Sequence, residues 1–275
     1  MLKKVLVLIG GIVFALKIQC MGLKASPAEF VLHDVVPGKF YNLYKEVNIR
    51  IKIYNEDDIS HKYFIRTYKP KKVTKLMKGY DEIPVEGWLK FDKYEIEIPP
   101  HRVGYVYPFL YIPEDEKYFN QHWCAMIGII GRPSSGVSLG VYLRVRIETL
   151  SKKRVKKKPD GMLAVVPSVI KFYGNGKKDI TIYNNSPEKE EVKIYLLKDK
   201  KQIKRYLKHG FAPLDKNVKI KLPGKIVIEK NGREKFPISV NLKEVKRNQE
   251  GIIFFEGKNS INFLRVEILK KNGKN

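Results

Sequence analysis

The feature that most constrains this chain is a short alternating run that occurs twice, VNIRIKIYN at residues 47–55 and ITIYN at residues 180–184. In the first, Val47, Ile49, Ile51 and Ile53 alternate with Asn48, Arg50, Lys52 and Tyr54. A period of two sends one set of side chains to a core and the other to water, so both runs are predicted strands of a half-buried sheet. Each breaks into a polar turn, NEDDIS at 55–60 and NNSPEKE at 184–190. Each turn leads into a further alternating strand, 62–68 and 192–196.

The echo extends outward. Ser26-Pro27-Ala28-Glu29-Phe30 answers Val166-Pro167-Ser168-Val169-Ile170, and YLRVRI at 142–147 answers FLRVEI at 263–268. The separation shrinks from 140 (Ser26 to Val166) through 129 (Asn55 to Asn184) to 121 (Arg144 to Arg265), so the second copy is shorter, by trimmed loops rather than lost strands. The expectation is two tandem copies of one all-β domain, and 275 residues suit two such cores. The boundaries fall at 23–150 for domain one, 151–161 for a basic linker, 162–269 for domain two and 270–275 for a polar tail. Residues 69–84 read as a polar loop carrying Lys69, Lys71, Lys72, Lys75 and Lys78, and residues 131–136 as a Gly/Pro/Ser hairpin loop. Domain one has no sustained helical periodicity. In domain two Ile203, Tyr206 and Leu207 stand at helical spacing, which predicts one short helix within 198–209.

Residues 1–22 read as an export signal. Lys3 and Lys4 precede an uncharged apolar run over 5–16, and Cys20-Met21-Gly22 offers a small-x-small cleavage site. Removal takes away Lys3, Lys4 and Lys17 and no acid, so a formal charge of +25 becomes +22. Cys20 carries a second reading as a lipid-modified anchor, against which Lys17-Ile18-Gln19 depart from the small apolar residues of a lipobox. The remaining cysteine, Cys124, lies in a strand-like run and has no partner for a disulfide. The charge is nearly all lysine, which fits an anionic neighbour and fits plain solubility equally well.

Catalytic signatures are missing. The five histidines, His33, His61, His101, His122 and His209, have no metal-ligand spacing, and there is no GxSxG elbow, P-loop or strand-borne GxGxxG. The acids of Asp57-Asp58 and Glu114-Asp115-Glu116 sit in predicted turns, where carboxylates are ordinarily solvated. Two readings stand for the aromatics: Trp88 and Trp123 form a sugar-stacking platform with Tyr105, Tyr107 or Tyr111, or they plug a sandwich core. The segment 151–159, SKKRVKKKP, repels itself and is expected to stay extended, as a solvated hinge or as a contact for anions.

IKIYN at 51–55 with its polar turn, IEIPPHR at 96–102 leading into Leu110-Tyr111-Ile112-Pro113, the strand exit at 128–133 and YLRVRI at 142–147 together resemble immunoglobulin-like sandwich proteins. In particular they resemble the periplasmic pilus chaperones and related exported chaperone-like proteins. The resemblance implies an all-β fold of two tandem immunoglobulin-like β-sandwich domains. It also implies an edge strand donated to an incomplete subunit, whose C-terminal carboxylate is anchored by basic residues between the domains. By position the donor is 139–147, with Leu139, Val141 and Leu143 as contact residues and Arg144 or Arg146 as anchor. The first strand departs from the pattern: it offers no basic partner, and Ala25–Leu32 carries only Glu29 as a charged residue.

The functional expectation is an exported, non-enzymatic binding or assembly module. It contacts a protein of the cell envelope or surface and acts in the periplasm or outside the cell. It needs no cofactor, metal or nucleic acid, and meets a membrane only if Cys20 is lipidated. The alternative is a binder of anionic envelope polymer, such as a cell-wall or surface polysaccharide. Its contacts would be Lys152, Lys153, Arg154, Lys156, Lys157 and Lys158 together with the lysine-rich loop.

Overall fold

The computed structural model describes residues 22–70, 77–132, 138–243 and 245–270. The export signal with Cys20, the loop lysines Lys71, Lys72 and Lys75, most of the 131–136 hairpin loop and all but the first residue of the tail lie outside the described residues.

Alternating runs become strands throughout. The first half comprises β1 (Leu23–Ser26), β2 (Glu29–Val35), β3 (Phe40–Asn42), α1 (Leu43–Val47), β4 (Ile51–Asn55), β5 (His61–Tyr68), β6 (Asp81–Glu82), β7 (Leu89–Phe91), β8 (Glu95–Ile98), β9 (Val103–Val106), β10 (Pro108–Tyr111), β11 (His122–Arg132) and β12 (Leu139–Thr149). The second comprises β13 (Leu163–Val166), β14 (Val169–Phe172), β15 (Gly176–Asn184), β16 (Glu190–Leu196), α2 (Lys200–Ile203), β17 (Ala212–Pro213), β18 (Lys219–Lys221), β19 (Lys225–Ile228), β20 (Arg233–Asn241), β21 (Gln249–Glu256) and β22 (Ile261–Ile268).

The two halves are copies. One sheet of domain one has the order β2-β12-β11-β5-β8, with β6 beside β11, and its twin has β14-β22-β21-β16-β19, with β17 beside β21. The facing sheet of domain two is a single β13-β15-β20-β18. In domain one that sheet is broken into β1-β4-β9 and β3-β10-β7. In each copy the chain crosses between sheets at the x-Pro step, Ser26-Pro27 or Val166-Pro167, both cis. The architecture is two tandem immunoglobulin-like sandwiches.

One expected strand is shorter than its alternation suggests. Residues 47–50 are not part of β4: Leu43–Val47 coil into α1 and the strand begins at Ile51. Asparagines at both ends make the difference. Asn42 Oδ1 accepts from Lys45 N–H, and Asn48, at φ 54°, closes the helix: its N–H donates to the Tyr44 carbonyl and the N–H of Ile49 to that of Leu43. Domain two has no such helix, and the equivalent segment is the unbroken strand β15.

The repeated Tyr-Asn ending has a side-chain cause. Asn55 Nδ2 donates to the carbonyls of Ile59, Ile98 and Pro99. Asn184 Nδ2 donates to those of Glu188, Ile228 and Glu229. Both side chains are buried, and each Oδ1 accepts from the N–H two residues on. A buried amide whose donors and acceptor are all used fastens the turn to the strand across from it.

Each domain has its own core. Ile51, Ile53, Ile65, Val106, Leu110, Ile127 and Val145 are among the residues that fill the first, and Ile180, Ile182, Val192, Ile238, Phe255 and Val266 among those of the second. Full burial of an aliphatic side chain of this size contributes about 1.5–3 kcal/mol. Trp88 and Trp123 plug the first core, with ring centroids 5.4 Å apart, so they are no part of a surface platform.

A third cluster joins the domains. Met77, Tyr80 and Cys124 from domain one meet Leu197, Ile203, Tyr206, Ile252, Phe254 and Phe263 from domain two. The segment expected to be a polar loop therefore ends in apolar anchors, because Met77, Tyr80 and Ile83 are buried. The expected helix is α2, which carries Ile203 into this junction, and the turn after it brings Tyr206. Cys124 is an inert member, its thiol pushed up to about 12 by burial and by Asp81 and Glu82.

Candidate functional site

Strand β12 is paired along its whole length with β11, but with β2 only from Arg144 onward. The reason is the crossing at Pro27, after which β1 pairs with β4 in the other sheet. Among the described residues no strand pairs with the outer side of residues 139–143. Arg144 N–H bonds outward to the Ala28 carbonyl. Strand groups alternate in direction, so the N–H and C=O of Tyr142 and Gly140 also face this open side.

The twin strand treats the same place differently. Arg265 N–H bonds to the Ser168 carbonyl just as Arg144 does to Ala28. The next outward N–H, that of Phe263, is taken by Asn262 Oδ1, whose Nδ2 donates to the Leu163 carbonyl. His122 of domain one then covers the segment, Nδ1 2.9 Å from Asn262 Oδ1 and ring stacked at 3.7 Å on Phe263. One copy caps and covers its edge, and the other leaves it bare.

The side chains on β12 grade from open to buried. Leu139 is exposed, Val141 is half-buried against the core and Leu143 is 2% exposed. Leu143 is thus a core residue and offers a partner little surface. Tyr142 is 54% exposed and stands edge-on to Tyr68 at 5.9 Å. Gly128 makes that approach possible: a Cβ there would lie 2.5 Å from the Tyr68 ring and 3.0 Å from Tyr142.

The two expected anchor arginines are brought together on one carboxylate, with Glu29 receiving Arg144 on one oxygen and Arg146 on the other. The acid that broke the expected pattern is their partner. Arg146 is almost wholly buried, donates to the Arg205 carbonyl at 2.8 Å and lies over the Tyr80 and Tyr206 rings. It is built into the domain junction, whereas Arg144 keeps 21% of its side chain exposed. Two cations share one anion, so a residual positive charge stands beside the open edge.

Behind them lies a charged cluster that no single motif announced. Glu148 accepts from Arg265 Nε and a terminal nitrogen at 2.6 and 2.5 Å and from Tyr80 OH at 2.5 Å, with His33 Nδ1 3.1 Å away. Burial pushes the Glu148 carboxyl up, but the Arg265 charge and the hydrogen bonds from His33 and Arg265 outweigh it and hold the group well below the usual carboxylate range. Arg265 also reaches Glu250 at 3.0 Å and the Tyr206 carbonyl at 2.5 Å. Lys208 bridges Asp34 and Glu267 across the same junction. Burial holds the His122 ring neutral, lowering its pKa to about 4. These groups are spent on one another and lock the domain angle. Among the described residues no group of three or more His, Cys, Asp or Glu side chains is placed to hold a metal ion.

The linker is docked, contrary to the expectation of a self-repelling, extended hinge. The turn acids hold it: Glu116 accepts from Lys156 N–H at 2.7 Å and Lys152 Nζ at 3.1 Å, and Asp115 pairs with Lys157 at 3.1 Å. Lys152 also lies 3.6 Å from the centre of the Phe119 ring. Asn120 Oδ1 takes Ser151 Oγ, Lys152 N–H and Ser168 N–H, tying both domains to the linker's start. In the earlier turn, Asp57 pairs with His61 at 2.7 Å and Asp58 with His101 at 2.9 Å. Lys153, Arg154, Lys156 and Lys158 have no ion-pair partner among the described residues. Lys153 lines cavities of about 540 and 580 Å³ with cations of domain two, Lys171 and Lys178 in the first and Arg233 and Lys235 in the second.

No protein-family model and no curated protein matches the chain. Among solved structures it is similar to a Porphyromonas gingivalis W83 protein of unknown function, at 10% identity over 90% of this chain and 99% of that one, with a TM-score of 0.36. It is similar to the class 5 fimbriae chaperone CfaA at 14% identity over 89% and 98%, TM-score 0.34. Its likeness to the E. coli chaperone DraB is 8% identity over 89% and 98%, TM-score 0.33. The structural neighbours thus include periplasmic pilus chaperones, the group the sequence resembles, and at these identities no residue role passes from them to this chain.

Proposed function

We propose that this protein is an exported, chaperone-like module that binds a partner polypeptide by adding it as a strand along residues 139–143 of β12. The observation that carries the reading is the bare edge: outward-facing backbone groups at Gly140 and Tyr142 beside an apolar-to-aromatic surface. A free edge is normally blunted, because it recruits other chains, and the second copy does blunt it. An incoming strand would take its affinity from the main chain and its selectivity from Leu139, Val141 and Tyr142. Arg144, still partly exposed while paired with Glu29, is positioned to attract an acidic group on the partner. Export of the mature protein supplies the setting, an envelope or surface compartment in which subunits meet before assembly.

Photo-crosslinking tests this. A photoreactive amino acid at Leu139 or Tyr142 should capture one discrete protein in the native envelope, and the same probe at Lys235 should not. Leu139→Glu with Tyr142→Pro, which removes an outward N–H, should abolish capture by a probe at Val141 while leaving the unfolding midpoint nearly unchanged. Equal capture from Lys235, or none from the edge, would refute it.

A second reading, an anionic envelope polymer on the linker, keeps four free cations, Lys153, Arg154, Lys156 and Lys158. It predicts binding that weakens steeply with salt, since exposed charges are screened beyond about 8 Å at physiological ionic strength.

A further inference from the structure

The outer face of a sandwich sheet is ordinarily polar, yet YVYPFLY at 105–111 lays aromatic rings along one. Val106, Pro108 and Leu110 point inward and are buried, while Tyr105, Tyr107, Phe109 and Tyr111 take the outward positions. Steps of two residues place these rings about 7 Å apart along a track of roughly 20 Å. Neighbouring segments widen it. Phe40, 59% exposed, stacks on Phe109 at 5.7 Å, and Tyr44 of α1 meets Tyr107 at 5.0 Å. The helix that breaks the repeat in domain one is therefore what adds Tyr44 to this face, and domain two, without it, has no counterpart.

Cations alternate with the rings. Arg50 lies 4.9 Å from the Tyr105 ring centre and 5.7 Å from Tyr44. Lys52 stands across from Tyr105 on β4, and Lys90 across from Phe109 on β7. Among the described residues none of these three cations has an ion-pair partner. An apolar protein surface laid here would strip water from three unpaired charges, a cost it could not recover. A chain that offers flat C–H faces to the rings, hydroxyls to the phenols and carboxylates to the cations matches all three features.

We infer that this face binds an acidic polysaccharide, several sugar units at a time. The site spans the β1-β4-β9 and β3-β10-β7 sheets, neither of which contains β12, and does not depend on the edge-binding reading. Single-stranded nucleic acid shares the stacking and the charge, so it is an arm of the test.

Polygalacturonate serves as probe, with uncharged dextran and an oligothymidine as comparisons, in affinity electrophoresis of the mature chain. The parent should bind polygalacturonate at least tenfold more tightly than either. Phe40→Ser/Tyr105→Ser/Tyr111→Ser alters three exposed rings and should weaken binding tenfold or more at an unchanged unfolding midpoint, and Arg50→Gln should weaken it severalfold. Lys153→Ser/Arg154→Ser/Lys156→Ser/Lys158→Ser should stay within twofold of the parent. The inference is overturned if the triple-ring variant binds like the parent, if the linker variant loses binding, or if oligothymidine binds better. It is equally overturned if the parent sediments as a dimer that the ring variant dissolves, which would make the face a self-interface.

Discussion

Asn55 and Asn184 perform one task 129 residues apart, each tying a polar turn to the end of a neighbouring strand through a fully buried amide. Replacing either with alanine removes the amide and leaves its carbonyl partners short of a donor. Each change should destabilise its own domain by roughly 2 kcal/mol, measured by chemical denaturation. A much larger effect in one copy would argue against their equivalence. His122 makes a prediction about pH. Its ring is neutral when folded, with a pKa lowered from 6.5 to about 4, first by burial. An unfolded chain binds the proton more readily across that interval, so stability from this group is complete above about pH 6.5 and is lost as pH falls toward 4. At about 1.4 kcal/mol per pKa unit the loss is roughly 3 kcal/mol. Asp81, raised to about 6 by burial and then by Glu82, titrates in the opposite sense, losing stability as pH rises through its folded value. The informative quantity is therefore the parent minus His122→Gln, which should shrink by roughly 3 kcal/mol between pH 7 and pH 4; a pH-independent difference would mean the ring is solvated.

At the scale of elements, much was legible in the sequence because alternation is a local signal. The strands β4, β15, β5 and β16, the short helix at α2 and the correspondence of β12 with β22 all follow from spacing alone. What escaped were decisions made by tertiary partners or by caps. Residues 47–50 alternate like a strand, but Asn42 and Asn48 cap a helix there. The residues of 151–159 repel one another as a sequence yet dock in the fold, because Asp115 and Glu116, some forty residues earlier, pair with Lys157 and Lys152 and Glu116 also takes the Lys156 N–H. The apolar spacing of Met77, Tyr80 and Ile83 in a lysine-rich segment was the available sign that the loop docks. If the acidic turn holds the linker, Glu116→Ala should raise the rate of tryptic cleavage within 152–158 several-fold, read by mass spectrometry. No change would mean the linker is held without it.

Across the whole molecule, duplication followed by divergence accounts for the candidate site. Arg144 and Arg265 are equivalent residues, one on Glu29 beside an open edge, the other on Glu148 and Glu250 inside the junction. The site was half legible: position picked out the strand and both arginines, while the covering of one edge and the baring of the other required knowing how the domains meet. Glu148→Ala would leave the buried Arg265 with Glu250 alone, a loss of about 3–5 kcal/mol. It should split one cooperative unfolding transition into two in scanning calorimetry; a single transition with an unchanged midpoint would show that the junction does not couple the domains. The open edge is the feature on which the proposed binding depends, and residue-resolved amide hydrogen exchange reads it directly. The amides of Gly140 and Tyr142 should exchange orders of magnitude faster than those of Val141 and Leu143, and become protected once the partner captured at Leu139 is added. Four equally protected amides in the free protein would contradict it.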